Sequence, residues 1–97
     1  MLDVREEPSV QKTVDSAYLQ WPRADEAWEA VVWAVARDPY GAGPALTESG
    51  KTRLMVFDGA RSIGMPSVRA VYVVEPSSVV IREVQFSEAK HLYAGCA

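Results

Sequence analysis

The run Ala45–Thr52, Ala-Leu-Thr-Glu-Ser-Gly-Lys-Thr, is the first stretch whose residue types and spacing could do chemistry. It fits a phosphate-binding loop in a permissive form, with Ala in place of the first Gly. Leu54–Asp58 follows as an apolar run closed by an aspartate, as the metal-supporting strand of a nucleotide site would. Such a loop works when a strand feeds a glycine-rich turn and a helix opens directly after the Lys-Ser/Thr, so that backbone amides and the helix N-terminus hold phosphate together. Here Asp38–Pro44 reads as loop where a strand should precede, and Arg53–Ile63 alternates like a strand where a helix should follow. Glu48 would set a carboxylate inside the cradle, and the apolar run begins two residues after Thr52, which leaves no room for the helix. The expectation is therefore a turn at Glu48–Gly50 that leads into a strand, with Lys51 and Arg53 at the strand's start and no bound nucleotide.

Other chemistries have less behind them. Arg53, Arg61, Arg69 and Arg82 alternate with apolar neighbours, the pattern of strands with one solvated face. There is one histidine, His91, and one cysteine, Cys96, so no cluster has the spacing of metal ligands and no internal disulfide can form. Glu75 and Glu83 make no persuasive carboxylate pair, and no Ser-His-Asp signature is readable from residue order. No cofactor is expected.

Ninety-seven residues point to one domain with one modest core. A net charge of −3 argues against a nucleic-acid binder, which usually has a basic balance. No charged-then-apolar leader opens the chain and no apolar run is long enough to span a bilayer, so a cytoplasmic location without membrane contact is expected.

Residues 1–9 are acidic and aperiodic and are expected to form a flexible tail, with a single α+β domain over 10–97. Val10–Leu19 alternates loosely and reads as a strand. Pro22–Pro39 is the clear helix: Ala24, Trp28, Val31, Val32 and Val35 form an apolar stripe, Asp25 and Glu26 suit its positive end, and Arg37 suits its negative end. Trp33 falls about 140° away from Trp28 at 100° per residue, among Glu26, Glu29 and Arg37. It is either covered by the tail or a loop, or it anchors a partner. Tyr40–Gly50 is a loop. Thr52–Phe57 is a strand ending in the turn signal Asp58-Gly59, Ala60–Ile63 a short return strand, and Gly64–Ser67 a turn. Val68–Glu75 and Val79–Phe86 are the two best strands, and Ser87 could cap a short C-terminal helix over 88–94.

Taken together, Leu46–Phe57, Val68–Glu75 and Val79–Phe86 resemble the core of the RelE/ParE superfamily, the toxins of type II toxin–antitoxin pairs. The resembling pattern is a leucine, a small turn, a basic strand, an arginine before an apolar strand that carries a tyrosine (Arg69 and Tyr72), a turn and a β-branched strand; Ala36–Pro39 resembles the family's helix exit. It covers about Ala17 to Phe86. The fold implied is a main helix packed on a twisted antiparallel sheet of about four strands, with a short C-terminal helix. The family usually carries a helical hairpin and a shorter link before the position of Arg69, and a basic residue near Gln85–Ser87; periodicity here predicts one helix and the last position holds no base. The resemblance implies a toxin that either cleaves ribosome-bound mRNA without a metal or inhibits a protein target such as gyrase, and that is neutralised by a cognate antitoxin. It places charge stabilisation at Arg53 and Arg69 and an acid or base at His91 or Tyr93. Lys51 and Arg61 are further cations for RNA or target binding, and Trp33 is a contact for the partner. The alternative is a non-enzymatic α+β interaction module that shares only the topology.

Overall fold

The computed structural model describes residues 2–92. The elements run β1 (Asp3–Glu6), α1 (Pro8–Gln20), α2 (Ala24–Arg37), β2 (Thr52–Phe57), a 3₁₀ turn (Arg61–Ile63), β3 (Ser67–Val74) and β4 (Ser78–Ser87). The four strands form one sheet in the order β1-β4-β3-β2. β2, β3 and β4 are antiparallel neighbours and β1 runs parallel to β4, so the sheet is mixed and not wholly antiparallel as expected. Both helices pack on one face of it, which makes a two-layer α+β domain.

Four further expectations are corrected. Val10–Leu19 is helix, not strand. Val10, Val14 and Ala17, spaced four and three apart, are its buried residues and lay one face of α1 on β4. Pro8 opens this helix, where its missing N–H is harmless. The loose alternation of this segment lost to the larger apolar burial that a helical face gives against the sheet. The domain thus has two helices instead of one. Residues 1–9, expected to be a tail, contain β1: Val4 pairs with Val79 and Glu6 with Ile81, and Leu2 N–H donates to the Ala36 carbonyl at the end of α2 (3.0 Å). The C-terminal helix is not present over Glu88–Leu92. There the backbone joins the 3₁₀ turn instead, with Arg61 N–H donating to His91 O (3.1 Å) and Ser62 N–H to Leu92 O (2.8 Å), while Ala89 is buried beneath. That same turn replaces the expected return strand at Ala60–Ile63 and leaves only the Ala60–Met65 bridge.

The core lies between helices and sheet. Val68, Ala70, Tyr72 and Val74 of β3 face the helices together with Val79 and Ile81 of β4, and meet Val10, Val14, Trp28, Val31 and Val35. Trp21 and Trp28 close one end around Phe86, with ring centroids 6.4 and 6.0 Å away. The apolar stripe expected for α2 is the buried one, with Val32 half-buried at its rim.

Candidate functional site

β2 begins directly after Lys51, and no helix follows the Ala45–Thr52 run. Gly50 N–H closes a turn onto Thr47 O (3.1 Å) with Gly50 at φ 74°, so the segment is a tight turn into a strand and lacks the helix N-terminus a phosphate loop needs. Ahead of the turn, residues 44–46 lie along the outer edge of β2: Leu54 N–H donates to Pro44 O (3.0 Å) and Leu46 N–H to Thr52 O (2.8 Å). Gly43 passes so close that a Cβ there would sit 1.8 Å from the Leu54 carbonyl oxygen, which is why only glycine fits.

Arg53 holds that loop. It pairs with Tyr72 across the β2–β3 ladder, so its side chain leaves on the helix-covered face. Its guanidinium donates to the carbonyls of Gly43 (2.8 Å), Gly50 (2.9 Å) and Tyr40 (3.0 Å) and lies over the Tyr40 ring, 5.4 Å from the centroid. The buried Tyr72 hydroxyl donates to the Pro39 carbonyl beside it. Burial pushes the Tyr72 phenol above its usual range, and the positive charge of Arg53 pulls the other way. The fork of Arg53 is thus engaged by the Tyr40–Gly50 loop, and the residue acts as a clasp.

Arg69 differs. It sits on β3 opposite Val56 and Gln85, on the sheet face that no helix covers, and it makes no ion pair with the other described residues. It lines a cleft of about 580 Å³ with Leu46, Leu54, Val71, Arg82 and Glu83, closed on one side by Ser9 and Thr13 of α1. Arg82 was not among the expected site residues. It is the extra residue of a bulge in β4, where Val71 pairs with Glu83 and Tyr72 with Ile81. A bulge bends the strand and re-aims a side chain, and Arg82 here reaches Glu7 at 3.3 Å. A sequence signal for it exists: core-facing residues run Val79, Ile81, then Val84 and Phe86, so the alternation slips by one between Ile81 and Val84.

The remaining expected residues spread along the sheet. Lys51 is exposed at the start of β2, and Arg61 is exposed past its far end, about 20 Å away by strand rise. Half-buried His91 lies at the Arg61 end, its carbonyl bound to the Arg61 N–H. Arg69, one residue from the end of the β2 ladder, is at that same end. Tyr93 lies outside the described residues. Trp33 is 53% exposed on α2, so neither loop nor N-terminal segment among the described residues covers it; the Arg37 guanidinium stacks on its ring, 4.9 Å from the centroid. Among the described residues, no group of His, Cys, Asp and Glu comes together to hold a metal, and no helix is long and apolar enough to cross a membrane. The chain matches no protein-family model, no curated protein and no solved structure, so what it can do has to be argued from this geometry.

Proposed function

We propose that the chain is the toxin component of a RelE/ParE-like toxin–antitoxin pair, and that it binds and inhibits a protein target, gyrase being the first candidate, through the uncovered face of its sheet. The observation that carries this reading is the cleft around Arg69, where a cation without an ion pair among the described residues stands over half-buried apolar side chains on a sheet face left open by both helices. Two further points support it. The helix pair ahead of an antiparallel β2-β3-β4 unit is a feature that the family usually carries, where one main helix had been expected of this chain. The acidic balance of the chain suits a protein target better than RNA.

Cleavage of mRNA through the 2′-hydroxyl needs a base, a proton donor and free cations around the developing charge. Arg53, engaged by three carbonyls, is withdrawn from that set. The endoribonuclease reading keeps one observation in its favour: Arg61, Arg69 and His91 lie toward one end of the sheet.

Expression of the chain alone in a bacterial host is expected to arrest growth, and Arg69→Ala is expected to relieve the arrest while the purified variant keeps its melting temperature. Loss of plasmid supercoiling activity in extracts, with transcripts intact, identifies the protein-inhibiting branch. Transcripts cut in the translating pool, with supercoiling intact, identify the nuclease instead. A chain that leaves growth untouched overturns the toxin reading and leaves a non-enzymatic interaction module.

A further inference from the structure

The two edges of the sheet are finished differently. Residues 44–46 run along β2 and take up its outward backbone groups at Thr52 and Leu54. The outer edge of β1 has no strand beside it among the described residues. Glu7 N–H donates to Ile81 O (3.2 Å). In a parallel ladder every second residue turns its backbone groups to the neighbour, so Asp3 and Arg5 face β4 while Val4 and Glu6 present N–H and C=O outward. Leu2 is in the same outward phase, and its N–H is already taken by Ala36 O of α2. An unpaired edge of this kind is a template for another strand; β1 is four residues long and carries Asp3, Arg5 and Glu6, which restrict it to a segment that complements those charges.

Directly beside this edge, α2 and Glu6 enclose a groove of about 460 Å³. Val32, Trp33 and Ala36 form its apolar floor with the edge of Trp28, spread over about 140° of the α2 surface at 100° per residue. Glu6 and Glu29 supply its carboxylates, and Arg37 on the Trp33 ring marks the opposite rim. The groove is apolar at its centre and negative at one end.

We propose that the β1 edge and this groove together receive an extended segment of another protein, which pairs with Val4 and Glu6 as a fifth strand, sets an apolar side chain against Val32 and Trp33, and places a lysine or arginine beside Glu6 and Glu29. Main-chain pairing supplies the affinity in such additions and alternate side chains supply the selectivity. A second copy of this chain paired edge to edge is the competing occupant, and the oligomeric state of the unliganded chain tests for it. A docked helix would fill the groove but leave the outward groups of Val4 and Glu6 unpaired. The inference stands on edge and groove alone and does not require the protein to be a toxin.

The probe is a synthetic ten-residue peptide in which threonine alternates with groove-facing valine and lysine, so that both kinds of side chain leave the strand on the side of Val32 and Glu6, compared with its counterpart carrying glutamate for lysine and with a version N-methylated on one edge, titrated into the full chain and followed by backbone amide and tryptophan indole NMR. The lysine peptide is expected to shift the amides of Val4 and Glu6 and the Trp33 indole. The glutamate and N-methylated peptides, and the variants Trp33→Ala and Val4→Pro, are expected to weaken binding by about tenfold or more. The proline removes the outward N–H at an edge where proline is tolerated, and with it the Val4 side chain that packs against the core. Should Val4→Pro unfold, the N-methylated peptide carries the same test on the intact chain. Binding of both charged peptides alike, shifts confined to the β2 edge, or no shift at millimolar lysine peptide overturns the proposal, as does a dimer of the unliganded chain that Trp33→Ala dissolves.

Discussion

Arg53 and Arg69 stand on neighbouring strands, and both follow the alternation of a strand with one solvated face, yet they have opposite fates. Arg53 pairs with Tyr72, whose side chain points into the core, so its guanidinium is drawn over the end of the sheet and bound by three loop carbonyls. Arg69 pairs with Val56 on the uncovered face and lines the cleft. An odd or even step in ladder position, and not residue type, decides which arginine holds the structure and which stands in the open cleft.

That contrast can be broken most sharply at Gly43. Gly43→Ala is expected to push the 44–46 segment off β2 and cost about 3 kcal/mol, as overpacking against backbone does, read by urea unfolding. An unchanged midpoint would mean that the loop does not lie against Leu54. Next, Arg53→Ala should lower stability by about 2 kcal/mol, through hydrogen bonds from a charged group to carbonyls, whereas Arg69→Ala should stay within about 0.5 kcal/mol of the parent. Equal losses at the two sites would erase the distinction between clasp and cleft. Tyr72→Phe removes the donor to the buried Pro39 carbonyl and is expected to cost about 1 kcal/mol, with the rest of the core unmoved in near-UV circular dichroism.

The smallest expected effect concerns Glu6. Burial pushes its carboxyl above the usual 4.5, with the charge of Asp15 adding to the rise and the Trp28 indole opposing it. A raised carboxyl in the folded state means that the unfolded chain ionises first. The contribution of the protonated group is therefore complete below the unfolded value and lost as pH climbs through the folded one. Glu6→Gln should accordingly melt higher relative to the parent at neutral pH than at about pH 4. A difference that is flat with pH, or of opposite sign, would show that Glu6 is solvated as freely as the exposed carboxylates.

The phosphate-loop-like run at Ala45–Thr52 is turn and strand, as its residues imply, because local chemistry settles it: glycine at positive φ closes the turn and alternation continues afterwards. α2 was legible from its apolar stripe and terminal charges. α1 was not, since its face is carried by small or β-branched residues, Val10, Val14 and Ala17, while Tyr18 and Leu19 add apolar character on the solvent side and blur the period. Arg69 was picked out as a site residue from the resemblance, but the withdrawal of Arg53 and the arrival of Arg82 in the cleft depend on pairing partners distant in sequence.

By itself the sequence determined the two best strands, the long helix and the turn at Gly50 with the strand after it, because period, turn glycines and terminal charges act over a few residues. Tertiary structure alone decided that Asp3–Glu6 would be a strand, that Val10–Leu19 would be helical, and that two like arginines would part ways. Each of those outcomes turns on which surface the segment meets, and burial against a sheet outweighs the few tenths of a kcal/mol per residue that separate helix from strand propensity.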